Sequence, residues 1–204
     1  HQDKNVEEAL IWFKKAADNQ DVSAMMYCAA AYKFGLGTVK NEDISRKYYI
    51  AAAKMGNPLA QLTLAEHFLE SKHGANQQLG EIWLNKACLQ DYIPALVYKA
   101  AWVHQSNPEE ANQLLQKALD QGYSKASFVK AQWYIEAQKW DEAQQWLHKA
   151  IDLGYEPAMV TLAELYLKPD TPIFDAKAGF KIYQQMAEQH IYLGEKRLSE
   201  LYQQ

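Results

Sequence analysis

The stretch Lys54-Met55-Gly56-Asn57-Pro58-Leu59-Ala60 decides the fold, because its context recurs along the chain. The small residue that closes it, Ala60, has counterparts at Ala24, Ala95, Ala126 and Ala158, with a weaker copy at Gly194. The spacings are 36, 35, 31, 32 and 36 residues. Five residues after each anchor stands a second small residue: Ala29, Ala65, Ala100, Ala131, Ala163 and Ser199. Eight after each stands a large one: Tyr32, Phe68, Val103, Tyr134, Tyr166 and Tyr202. Upstream, Ala9, Ser45, Gly80, Ala111, Ala143 and Gly179 keep the same spacing. Three residues beyond these come Trp12, Tyr48, Trp83, Leu114, Trp146 and Ile182, and four further Ala16, Ala52, Ala87, Ala118, Ala150 and Met186. Columns in register at this period are the signature of stacked helical repeats.

Each unit contains two helical stretches, a first type near 60–70 and a second type near 76–90. Their marked residues fall on one broad face of a 3.6-residue helix. Small columns let two helices approach closely, and the facing aromatic fills the groove. Gly56-Asn57-Pro58, Gly122-Tyr123-Ser124 and Gly154-Tyr155-Glu156-Pro157 each end one helix and open another, with Gly suited to the left-handed exit and Pro to the first turn. Gly35-Leu36-Gly37 and the segment 168–172 mark loops inside hairpins. The chain is predicted to start on a second-type helix (7–19) and finish on a first-type helix (194–204), with five complete hairpins between and about twelve helices in all. Neighbouring hairpins must stack to bury their faces, so the expected architecture is all-α: a single right-handed α-α superhelix, or solenoid, over residues 1–204.

Composition narrows the function. Lys+Arg is 21 and Asp+Glu 25, a net charge of −4, which argues against a surface built to hold nucleic-acid backbones. The longest apolar run, Ala24 to Tyr32, is nine residues, far short of the roughly 20 that span a bilayer. The two cysteines, Cys28 and Cys88, cannot form a disulfide framework. Residue 1 is His, so a signal peptide or lipid anchor removed upstream would leave no trace.

A search for chemistry yields no catalytic, cofactor or metal assignment. The histidines His1, His67, His73, His104, His148 and His190 contain no pair at helical ligand spacing, and there is no Cys-x-x-Cys. Gly35-Leu36-Gly37-Thr38 follows a helix and not a strand, so it reads as a turn and not as a nucleotide fingerprint. Glu109-Glu110 and Asp141-Glu142 sit at helix starts, where carboxylates complement the dipole. The six tryptophans fall mostly on packing columns; a carbohydrate-binding or enzymatic site would need several of them exposed in one cleft beside a carboxylate pair.

The pattern Ala24-x4-Ala29-x2-Tyr32-x2-Gly35-Leu36-Gly37, followed by Lys47-Tyr48-Tyr49-x-Ala51-Ala52-Ala53-x2-Gly56-Asn57-x2-Ala60, resembles the Sel1-like repeat, a relative of the tetratricopeptide repeat. The units beginning near Ala95 and Ala126 lack the Gly-x-Gly loop, carry Lys99 and Lys130 where Cys28, Leu64, Leu162 and Leu198 stand elsewhere, and look more like tetratricopeptide repeats. A cysteine-rich branch of the family carries a disulfide in each repeat; here Cys28 and Cys88 occupy different columns, which excludes it. The resemblance implies a non-enzymatic scaffold or adaptor of the bacterial envelope that binds a protein partner in its concave groove; it favours a periplasmic or secreted location, with the cytoplasm as the alternative. By the same resemblance, positions two, six and nine after each anchor line that groove. Among them are Met26, Lys33, Leu62, Glu66, Val97, His104, Phe128, Gln132, Ile135, Val160, Glu164, Leu167, Glu200 and Gln203. The row Met26, Leu62, Val97, Phe128, Val160 is apolar throughout, which suits either a greasy partner segment or packing between adjacent first-type helices. An immunity or inhibitor protein capping a toxic enzyme is the alternative function, and self-association through the terminal helices a further partner reading.

Overall fold

The computed structural model describes residues 2–71 and 74–202, with side chains from Asn5 onward. His1, His73 and Gln203 lie outside the described residues. Among the described residues there are twelve helices and no strand. First-type helices are α2 (Val22–Phe34), α4 (Pro58–Leu69), α6 (Ile93–Val103), α8 (Ser124–Glu136), α10 (Glu156–Tyr166) and α12 (Tyr192–Tyr202). Second-type helices are α1 (Gln2–Asp18), α3 (Glu42–Lys54), α5 (Gly74–Cys88), α7 (Pro108–Asp120), α9 (Trp140–Asp152) and α11 (Ala176–Glu188). α1 starts five residues before the predicted point, because the apolar period begins only near Ala9 while good helix formers precede it. α4 starts at Pro58, with the Asn57 side chain accepting from the Ala60 amide at 2.8 Å; Asp21 caps α2 in the same way.

One backbone device closes every second-type helix. Two residues past the helix end, or three after α5, the backbone takes a left-handed conformation, at Gln20, Gly56, Asp91, Gly122, Gly154 and His190. The following amide then bonds back to the carbonyl of Ala16, Ala52, Ala87, Ala118, Ala150 or Met186, at 2.9–3.4 Å. This is the six-to-one bond of a Schellman turn, and it fixes where each next helix starts.

The chain divides into two compact units, residues 1–99 and 100–204. In each, a helix packs on its chain neighbours: α1 through α5 in the first, α7 through α12 in the second. Leu10, Cys28, Leu64 and Leu84 centre the core of the first unit. Leu147 and Leu162 anchor one cluster of the second, Tyr183 and Met186 another. The small columns act as predicted. Ser45 donates to the Ala29 carbonyl at 2.7 Å across α2 and α3. Gly80 and Gly179 meet Leu69 and Leu167 so closely that an added Cβ would stand 2.7 and 2.8 Å away.

Candidate functional site

The anchor, +1, +4, +5 and +8 positions of a first-type helix pack inward. At about 100° per residue they span an arc of about 0–140°, and positions three, six and ten lie opposite, at about 240–300°. Clefts form on that opposite face in each unit. In the first unit, a cleft of about 380 Å³ is lined by Lys33, Phe34, Arg46, Tyr49, Glu66 and Glu70 among others. At its rim Lys40 pairs with Glu42 at 3.0 Å, which holds the Glu42 carboxyl below its ordinary range. Burial pushes the Tyr49 phenol up, and it does the same to Tyr98, helped by the charges of Glu66 and Glu70. In the second unit, a cleft of about 210 Å³ is lined by Trp102, His104, Gln105, Gln132, Trp133 and Glu136 among others.

Of the sequence-predicted site residues, Lys33 and Glu66 line the first cleft, and His104 and Gln132 the second. The apolar row is different. Leu62 and Val97 are 5% and 1% exposed, which removes them from any surface. Met26 is half-buried against the first core, Phe128 and Ile135 against one core cluster of the second unit, and Val160 and Leu167 against the other. Phe128 also meets the Tyr155 ring, with centroids 5.0 Å apart. The physical reason is angular: position two, at about 200°, borders the packed arc. Glu164 and Glu200 stay at the surface, held by Arg197 at 3.1 and 2.9 Å. Arg197 also hydrogen-bonds the buried Tyr183 phenol, whose pKa is raised by burial and by Glu164.

Sequence reasoning missed position ten: Phe34, Glu70, Gln105, Glu136 and Lys168, all exposed. Its signal was available, since four of these five are polar on an otherwise apolar helix type.

Four of the six tryptophans serve packing. Trp83 and Trp133 are buried, Trp140 and Trp146 half-buried, and the exposed pair, Trp12 and Trp102, fall one in each unit. Lysine ammonium groups one turn on cover Trp12, Trp83 and Trp146 at 4.3–4.6 Å. Neither unit gathers the exposed aromatic platform that a sugar site would need. Among the described residues no group of three His, Cys, Asp or Glu side chains could hold a metal ion. No helix there is long and apolar enough to cross a membrane.

Comparison with known proteins places this geometry. A Schizosaccharomyces pombe protein, chitin synthase regulatory factor 3, is 38% identical over 69 residues, which is 34% of this chain but 7% of that protein. The solved structure of c5321, described as a protective antigen present in uropathogenic Escherichia coli strains and displaying an SLR fold, superposes with a TM-score of 0.71 at 23% identity. That match covers 97% of this chain and 44% of the antigen, so the chain spans under half of its length. The immunity protein Pa5087 from Pseudomonas aeruginosa superposes with a TM-score of 0.59 at 17% identity, over 87% of this chain and 73% of its own. These likenesses show the fold, an all-α solenoid of helix hairpins. The Sel1 repeat model matches residues 2–21, 22–57, 58–92, 103–123, 141–155 and 157–190, leaving most of α6 and all of α8 and α12 unmatched. With most of its length covered by that model, the chain belongs to the Sel1 repeat family.

Proposed function

We propose that the chain is a non-enzymatic scaffold of a bacterial envelope system that holds a segment of a partner protein against the inner rows of its first-type helices. Sel1 repeats build protein-interaction scaffolds and are generally non-catalytic. The observation that carries the reading is the position of the clefts. In each unit the cleft is lined by positions nine and ten of one first-type helix and positions three, six, seven and ten of the next, joined in the first unit by Arg46 and Tyr49 of α3. A repeat that presents one row over and over is suited to an extended partner. The envelope setting rests on what is usual for the family.

The test is affinity capture from a lysate of the source organism. It compares the parent chain, an inner-row variant (Glu66→Lys/Gln132→Lys) and an outer control (Lys117→Glu). A defined protein retained by the parent and the control and lost by the variant supports the proposal. Equal recovery by all three overturns it.

Immunity is a second reading, favoured by the likeness to Pa5087. It requires the captured partner to be a single enzyme, bound one to one, whose activity falls when this chain is added in equal amount.

A further inference from the structure

The cleft of the second unit has aromatic walls and negative ends. The His104 imidazole lies flat on the Trp133 indole, with centroids 3.8 Å apart and planes within 2°. Trp102 leaves 40% of its surface open at the rim. α6 ends at Val103 and α8 at Glu136, and neither has a basic residue in its last turn. The last carbonyls accept from the amides that follow them, but no basic side chain in either last turn offsets the negative end of the helix dipole. The first unit is built differently: α2 carries Lys33 in its last turn and α4 carries His67. The exposed Glu136 carboxylate lines the second cleft and makes no ion pair among the described residues. Lys130, the cation nearest the Trp133 ring on α8, is engaged by Asn112 at 2.7 Å. Gln105 and Gln132 add two neutral amides to the lining.

We propose that this cleft receives an arginine side chain of the protein partner, an assignment that rests on the interaction-scaffold reading above. The guanidinium stacks on Trp102 and donates to the Glu136 carboxylate and to the amide oxygens of Gln105 and Gln132. Arginine fits better than lysine because a planar, weakly hydrated fork stacks on an indole and serves several acceptors at once. An apolar side chain would gain nothing from the Glu136 carboxylate or from the two amide oxygens.

The experiment titrates the full chain, ¹⁵N-labelled, with acetyl-Gly-Arg-Gly-amide, following the Trp102 indole N–H signal. The lysine peptide and the uncharged citrulline peptide are the comparisons. The arginine peptide is expected to shift that signal with a Kd on the order of millimolar. The lysine peptide should bind roughly threefold more weakly, and the citrulline peptide should leave the signal in place. Glu136→Gln should weaken arginine binding by about tenfold, at an exposed position where the fold is untouched. No Trp102 shift, an equal response to citrulline, or full binding by Glu136→Gln each overturns the assignment. A captured partner that is lost with Glu66→Lys/Gln132→Lys but retained by Glu136→Gln also overturns it, and leaves the scaffold reading standing.

Discussion

Gly80 on α5 lies against Leu69 on α4 so closely that a Cβ on Gly80 would stand 2.7 Å from Leu69 Cγ and 3.0 Å from the Leu69 amide nitrogen. That approach is what the small column of each second-type helix provides. Gly80→Ala should therefore cost about 1–3 kcal/mol through overpacking. Urea unfolding followed by circular dichroism checks it. An unchanged midpoint would mean that the hairpin does not close on this column.

The left-handed turn column supplies a prediction of opposite sign. Gly56, Gly122 and Gly154 adopt positive φ freely, whereas Gln20, Asp91 and His190 hold φ of 67°, 51° and 57° with a Cβ in place. Gln20→Gly or Asp91→Gly should stabilise by about 0.5–1 kcal/mol, and Gly122→Ala should cost about as much. Thermal melts of the three variants show whether the column behaves as one device.

Phe128 separates packing from partner contact. It is half-buried against Tyr155 and the second-unit core, so Phe128→Glu should lower the melting temperature by several degrees. Gln132→Ala, on the exposed row four residues on, should change stability by less than about 0.5 kcal/mol. A melt of Phe128→Glu that matches the parent would return position two to the groove.

Alkaline pH should loosen the second unit first at Tyr183. Its phenol is 1% exposed, and burial raises its pKa above the ordinary value of 10.0. The folded chain favours the neutral phenol. Stability is thus fully present below pH 10 and falls as pH climbs from there through the raised folded value. Tyrosinate absorbance and helical circular dichroism, recorded together from pH 9 upward, should show Tyr183→Phe holding its structure to higher pH than the parent.

The fold was legible because its columns are chemical: a helix contact that tolerates only Ala, Gly or Ser leaves the same mark at Ser45, Gly80 and Gly179. The turn column was half hidden, since Gln20, Asp91 and His190 adopt the glycine conformation without being glycine. The candidate site was legible in part. Position six lines a cleft in each unit through Glu66 and Gln132. Position two is placed in the groove by resemblance to tetratricopeptide-like solenoids, and its apolar row fits a partner and a core equally well. One residue along a helix turns the side chain by about 100°, so exchanging position two for position three moves a row from the seam to the open face. Hydrophobicity alone does not fix that angle. Leu62 and Val97 are settled only by their burial in the folded chain.

Site-specific photo-crosslinking tests the central claim most directly. Benzoylphenylalanine is placed at Gln132 on the inner row or at Gln145 on the exposed outer side of α9, and each chain is irradiated with its captured partner. The scaffold account predicts a crosslinked product from Gln132 and none from Gln145. Product from Gln145 with none from Gln132 would move the partner to the other face and contradict it.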